Sequence, residues 1–194
     1  METLIQLDHQ VFSWINHGLS SEFLDTILVP LRHKLFWIPL YIFLLVFIYR
    51  NFEKSRWLIF LSIIICISVS DISSSRLIKK SVERVRPCNQ EQLDVMSKVP
   101  CSYGYSFTSS HATNHFAISV LLFLLFGFWK YRFLFIVWAA TIAFAQVYVG
   151  LHFPLDVIAG ALVGSFIGWA SFYFYDTVFN RFLKHNNSNG IQIT

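Results

Sequence analysis

The chain has 194 residues, of which 55% are hydrophobic, 18% aromatic and only 13% charged, with a formal net charge of +4. So little polar surface cannot cover a soluble globule of this size, which excludes an ordinary soluble enzyme and predicts a protein built into a membrane. The bilayer is therefore the first expected partner, and no nucleic-acid partner is expected.

In chain order, the first 34 residues hold two short apolar stretches, 11–19 and 23–31, interrupted by Asn16, His17, Gly18, Ser20 and Ser21. They predict an interfacial helix plus a partial span. Residues 2–9 carry Glu2 and Asp8 and lack the basic region and small-residue cleavage site of a signal peptide, so the first span is expected to direct insertion itself. Longer apolar runs follow at 35–49, 57–69, 116–129, 133–149 and 157–175. Each can cross a bilayer, which takes roughly 17–25 residues, once its polar flanks are included. In hydrocarbon every backbone N–H and C=O must be satisfied within its own segment, so these runs are expected to be helices. The expected fold is all-α: a polytopic transmembrane bundle of five spans plus the N-terminal segment, forming one membrane-embedded domain over residues 1–194. Beyond the polar tail after Lys184, no low-complexity stretch or repeat stands out.

Polar residues interrupt this plan at a few places. Asp71 lies well inside an apolar run, which predicts either a proton or ion pathway or a partner for Arg76 or a neighbouring hydroxyl. Lys79 and Arg86 are seven residues apart, two helical turns, and so are expected on one helix face, with Pro87 ending the helix just after Arg86. Two such cations suit a tetrahedral dianion, although a basic anchor snorkelling to headgroups fits them as well. Cys88 and Cys101 bracket a polar loop, where a disulfide is possible if that side is oxidising, whereas Cys66 reads as packing. Thr108, Ser109 and Ser110 open the run ahead of His111. A serine cluster there reads as a helix N-cap, and such a terminus attracts anions through its free N–H groups and dipole. His152 and Asp156 stand four apart, with Pro154 fitting the first turn of a helix, so that the carboxylate can fix the imidazole tautomer. Gly160, Gly164 and Gly168 then form a small-residue ridge for close helix approach in lipid. His9, His17, His33, His115 and His185 fall in no motif and are read as interfacial or solvated.

If the Lys79 end of its span faces outward, the count of spans places Ser109–His111 and His152–Asp156 on that side too. The opposite loops then carry Arg50, Lys54, Arg56, Lys130, Arg132, Arg181 and Lys184, as positive-inside topology prefers. The outer side also holds bases, among them Arg32, Lys34, Arg76, Lys80, Arg84 and Lys98.

The three segments Lys79-x6-Arg86-Pro87, Ser109-x-His111 and His152-x3-Asp156, in this order, resemble the signature segments of the type 2 phosphatidic acid phosphatase superfamily. The resemblance runs from about residue 57 to 176 and includes bacterial undecaprenyl-diphosphatases. It implies an integral-membrane lipid phosphatase in the bacterial inner membrane, with its site on the periplasmic side and a lipid phosphate as substrate. Under it, His152 attacks phosphorus to give a phosphohistidine, His111 protonates the leaving oxygen and Asp156 orients His152. Lys79, Arg86, Ser109, the Ser110 N–H and Gln146 would hold phosphate oxygens, with no metal or other cofactor. Undecaprenyl diphosphate is the first expected substrate, followed by phosphatidylglycerophosphate, phosphatidic acid or a lipid A phosphate. A lipid-phosphate binder or transporter is the alternative of another class. The chain departs from the family pattern where Thr108 and Ser110 replace Pro and Gly, and where Ala145 and Gln146 replace Ser and Arg. Gln146 donates hydrogen bonds but brings no charge. Either Arg84 or Lys80 then supplies the missing cation, or the site is weakened.

Overall fold

The computed structural model describes residues 2–188, with side chains as far as Lys184. The end of the polar tail, 189–194, and the His185 side chain lie outside the described residues. Each apolar run is helical, as the need to satisfy backbone groups in hydrocarbon requires. They form α3 (Ile38–Asn51), α4 (Arg56–Ile72), α6 (Ser110–Leu125), α7 (Phe133–Tyr148) and α8 (Pro154–Ser188), and α4 runs through a π-helical stretch, Ser73–Ile78, into α5 (Lys79–Val82). Three stretches, Lys34–Asn51, Arg56–Val82 and Pro154–Lys184, are long and apolar enough to cross a membrane. Helices α6 and α7 have 16 residues each. Such a helix rises about 24 Å against a hydrocarbon core of about 30 Å. Among the described residues, length and composition thus pick out three crossing helices, and α6 and α7, the other two expected spans, are apolar but shorter.

The outward faces are apolar. Trp57 on α4 is 68% exposed and Leu162 and Phe166 on α8 are 69% and 66% exposed. Leaving such faces in water would forgo roughly 25 cal/mol per Å² of apolar area. Together with the apolar helices, they mark an integral membrane protein.

The N-terminal segment forms α1 (Glu2–Ser13), a π-helical stretch (Trp14–Gly18) and α2 (Glu22–Leu31). Neither α1 nor α2 is among the crossing helices; α1 packs on α8 and α2 on α7. Asn16, expected to break an apolar stretch, is instead fully buried. Its amide nitrogen donates to Tyr148 O at 2.8 Å and Met96 O at 3.1 Å, while Met96 N–H donates to its oxygen at 2.8 Å. The segment is therefore anchored to the end of α7 and to the loop before α6. Phe12, Leu28, Tyr148, Leu151 and Phe153 form a buried cluster at this end. A second cluster, including Ile59, Cys66, Leu121 and Tyr175, fills the middle of the bundle. Cys88 and Cys101 form a disulfide, with Cα atoms 5.9 Å apart, within the α5–α6 loop. Closing a loop of this size contributes about 3 kcal/mol.

Helix α6 packs most extensively on α8, along the glycine ridge. A Cβ at Gly160 would lie 2.8 Å from Ser109 O, and one at Gly164 or Gly168 would overlap the carbonyl of Thr113 or Ala117. Since these obstacles are backbone atoms, they cannot rotate away. The ridge therefore sets how near the start of α6 comes to the start of α8, and Ser109 N–H donates to Asp156 O at 3.0 Å. Gly164→Ala is expected to destabilise the protein by about 1–3 kcal/mol through overpacking. It should also lower activity by parting these two helix starts. Thermal unfolding in detergent checks this, and an unchanged melting temperature would show that the contact yields.

Candidate active site

The first basic segment does not follow the expected helix. Helix α5 ends at Val82, and Glu83 adopts the left-handed conformation with φ 52°. The next residues are extended, with Arg86 at φ −68° and ψ 150°, as the following proline favours. Lys79 and Arg86 therefore do not share a helix face. They are nevertheless brought together, because Lys79 Nζ donates to Tyr105 O at 3.0 Å while Arg86 Nε donates to Gly104 O at 3.1 Å.

Arg86 is buried and its Nη1 also reaches Leu151 O at 3.1 Å and His152 Nε2 at 3.0 Å. His152 is held in the loop between α7 and α8, where Gly150 turns the chain at φ 85° and the Leu151 and His152 N–H groups both donate to Gln146 O. The Asp156 carboxylate faces the other ring nitrogen, with Oδ2 3.6 Å from Nδ1. That distance exceeds a hydrogen bond. A proton on Nδ1 faces the carboxylate and leaves the Nε2 lone pair toward Arg86. Burial pushes the His152 pKa down to about 4, with Arg86 and Lys79 acting the same way and Asp156 opposing them. The imidazole is neutral near pH 7.

Asp156 is fully buried and does more than face His152. Its Oδ2 accepts the Phe153 N–H at 2.8 Å, closing the first turn of α8 in the manner of a capping box. Its Oδ1 accepts Arg84 Nη1 at 2.7 Å. Arg84 Nη2 in turn donates to Asp8 Oδ2 at 2.6 Å, and the guanidinium lies 4.0 Å over the Phe153 ring. The other oxygen of Asp8 accepts Leu155 N–H at 2.8 Å. Arg84 is thus committed between two buried carboxylates and is not a free cation, contrary to the expectation that it replaces the missing family arginine. Lys80, the other candidate, is exposed. The sequence carried no signal for Asp8, one of two acids on an N-terminal helix.

Ser109 caps α6, accepting Ala112 N–H at 3.4 Å, and is fully buried. The Ser110 hydroxyl is engaged with Ser74 at 2.7 Å and Ser75 at 3.1 Å, so its side chain is drawn toward the π-helical stretch. The N–H groups of this first turn have no partner within the helix. His111 follows on that turn, and His115 Nδ1 sits 2.8 Å from its carbonyl. The ring of His115 packs edge-on against Trp138 at 5.2 Å, and His9 stacks on Phe153 at 4.8 Å. Both were expected to be interfacial or solvated; burying their rings against aromatics uses the apolar body of the imidazole. The Ser109 N–H to Asp156 O bond and the Arg86 contact with His152 Nε2 bring parts of all three segments together. Gln146 is fully buried, and neither its Nε2 nor its Oε1 has a hydrogen-bond partner among the described residues. Asp71 pairs with the Ser75 hydroxyl at 3.2 Å and the Asn114 amide at 3.3 Å, and not with Arg76.

The model of the PAP2 superfamily matches residues 57–180. The chain belongs to the PAP2 superfamily. It is 31% identical to the lipid A 4'-phosphatase of Bacteroides thetaiotaomicron over 179 residues, covering 90% of this chain and 79% of that protein. It is 33% identical to the undecaprenyl-diphosphatase of Sulfolobus acidocaldarius over 135 residues, covering 70% of this chain and 61% of that one. Among solved structures, Aquifex aeolicus LpxE matches with a TM-score of 0.64 and 26% identity, over 84% of this chain and 92% of that chain. This PAP2 protein is therefore an enzyme, a membrane lipid phosphatase that hydrolyses phosphate esters. All three PAP2 signature segments lie within the matched region, whereas Asp8 lies outside it.

Proposed function

We propose that this PAP2 phosphatase removes a phosphate from a lipid A-type glycolipid through a phosphohistidine formed on His152. The observation that carries the mechanism is the neutral, buried His152 with its Nε2 beside Arg86 and its Nδ1 facing Asp156. An incoming phosphate takes over the Arg86 donor, and Nε2 bonds to phosphorus as the bond from phosphorus to the lipid oxygen breaks. His111 gives its proton to that oxygen. Water then attacks the phosphohistidine, returning a proton to His111 and releasing inorganic phosphate. Lys79, Arg86, Ser109 and the Ser110 N–H offset the charge gathering on the phosphoryl oxygens, and Gln146 offers a neutral donor.

For the substrate, the sequence pattern favoured undecaprenyl diphosphate. The identity to the Bacteroides thetaiotaomicron lipid A 4'-phosphatase over 90% of this chain moves lipid A phosphate ahead of it. Undecaprenyl diphosphate remains the second reading, on the similarity to the Sulfolobus acidocaldarius enzyme. A site at the ends of apolar helices suits a phosphate on a lipid anchored in the bilayer, and several bases on the outer side serving as phosphate ligands leave the remaining opposite-loop bases in accord with an inner-membrane protein whose site faces the periplasm.

The test is phosphate release by the purified protein in detergent from lipid A bearing its phosphates, undecaprenyl diphosphate, phosphatidylglycerophosphate and phosphatidic acid. Lipid A is expected to be hydrolysed at least about tenfold faster, a difference of about 1.4 kcal/mol in barrier. Faster release from undecaprenyl diphosphate would install the second reading, and no release from any would overturn the phosphatase mechanism. EDTA is expected to leave the rate unchanged, because the site's cations do the neutralising. A rate restored only by added magnesium would contradict that.

A further inference from the structure

With Gln146 in the arginine position of the third segment and Arg84 held by two carboxylates, the site lacks one of the family's phosphate cations. Arg32 directly follows helix α2, and α2 packs on α7. Its Leu28 and Leu31 join the cluster formed by Ala145, Tyr148, Leu151 and Phe153, which flanks Gln146 on one side and His152 on the other. The Trp37 indole donates to Leu31 O at 2.6 Å and its ring meets Trp138, which packs in turn on His115 beside His111. The turn bearing Arg32 is thereby pinned between the end of α7 and the start of α6.

The Arg32 side chain is half-buried, its Nε is buried without a hydrogen-bond partner, and it forms no ion pair among the described residues. A guanidinium partly withdrawn from water and left unpaired is unfavourable. Its neighbours add to this. Burial pushes the pKa of Arg86 down, and the like charge of Arg32 pushes the same way against the pull of Asp156. The charge of Arg32 also reaches His111. Cations gathered in this way, with the nearest carboxylate already satisfied by Arg84, form a site for an anion.

We propose that Arg32 binds the substrate phosphate, supplying from the N-terminal segment the cation that the third segment lacks at Gln146. The inference rests on the phosphatase reading above and makes the N-terminal segment part of the active site. A planar guanidinium can grip two phosphoryl oxygens at once, which the Gln146 amide cannot do with charge.

The test uses the full chain in detergent with Arg32→Gln, Arg32→Lys and the double variant Arg32→Gln with Gln146→Arg. Three quantities are read: KM for the lipid phosphate that the wild type hydrolyses best, the inhibition constant of orthovanadate as a tetrahedral phosphate mimic, and the melting temperature with and without orthovanadate. Arg32→Gln is expected to raise KM and the vanadate constant at least about tenfold, equivalent to about 1.4 kcal/mol. Its melting temperature without vanadate should hold or rise, since an unpaired, half-buried charge is gone. Lysine should retain part of the affinity, and the added arginine at 146 should recover much of it. Wild-type vanadate affinity in Arg32→Gln would overturn the assignment, as would a loss confined to thermal stability. A wild type that releases no phosphate, yet is stabilised by vanadate only when Arg32 is present, would remove the phosphatase reading and leave the anion site standing.

Discussion

His152→Ala is expected to lower phosphate release by at least about 10³-fold, because in the proposed mechanism it deletes the atom that bonds to phosphorus rather than one that assists the bond. Both His152 contacts, to Arg86 and Asp156, serve to aim and tune the ring, and its own N–H adds a bond to the end of α7. His111→Ala should also be severe, at about 10²–10⁴-fold, the usual range for a positioned proton donor. The two variants differ in a measurable way. A leaving group that needs no protonation, such as a nitrophenolate, should recover much of the His111→Ala activity and none of the His152→Ala activity. Acid-labile phosphate on the protein, trapped in the wild type during turnover, should be missing from His152→Ala. More than a few per cent residual activity in that variant would sink the phosphohistidine mechanism.

Arg84→Ala comes next in expected effect, and through another route. Removing this guanidinium leaves the Asp8 and Asp156 carboxylates facing each other, both buried, without the charge between them. Breaking a buried pair by removing one partner typically destabilises by about 3–5 kcal/mol. Asp8→Ala should reproduce part of that loss, because it frees one arm of Arg84 and leaves the Leu155 N–H at the start of α8 without its acceptor. Both variants should lower kcat more than they raise KM, since Asp156 and hence His152 lose their support while the phosphate cations remain. Thermal unfolding and steady-state kinetics separate this from a phosphate-binding role. An Asp8→Ala protein with normal stability and kcat, beside an Arg84→Ala protein altered only in KM, would return Arg84 to the phosphate ligands.

The sequence alone determined whatever depends on short spacing. Apolar runs filling so much of a chain this poor in charge could only be satisfied as helices in lipid. The serine cluster ahead of His111 had to open a helix, and His152 and Asp156, one turn apart around Pro154, were bound to meet at a helix start. The glycine spacing on α8 likewise announced a close helix contact, although not that Thr113 and Ala117 lie across it. Tertiary structure decided the rest. Nothing local foretold that Glu83 would take a left-handed turn and separate Lys79 from Arg86 in conformation while loop carbonyls regathered them. Asp8 and Asp156 are 76 and 72 residues from Arg84, so their shared ion pair leaves no periodic trace in the chain. The same holds for Arg32, one basic residue among several, whose meaning comes only from the packing of α2 on α7. Periodicity reports which face of an element is buried, because burial acts on neighbours along one helix. Which charges face one another across the bundle is set by how the helices dock, and a few buried polar groups placed far apart in sequence then fix the chemistry.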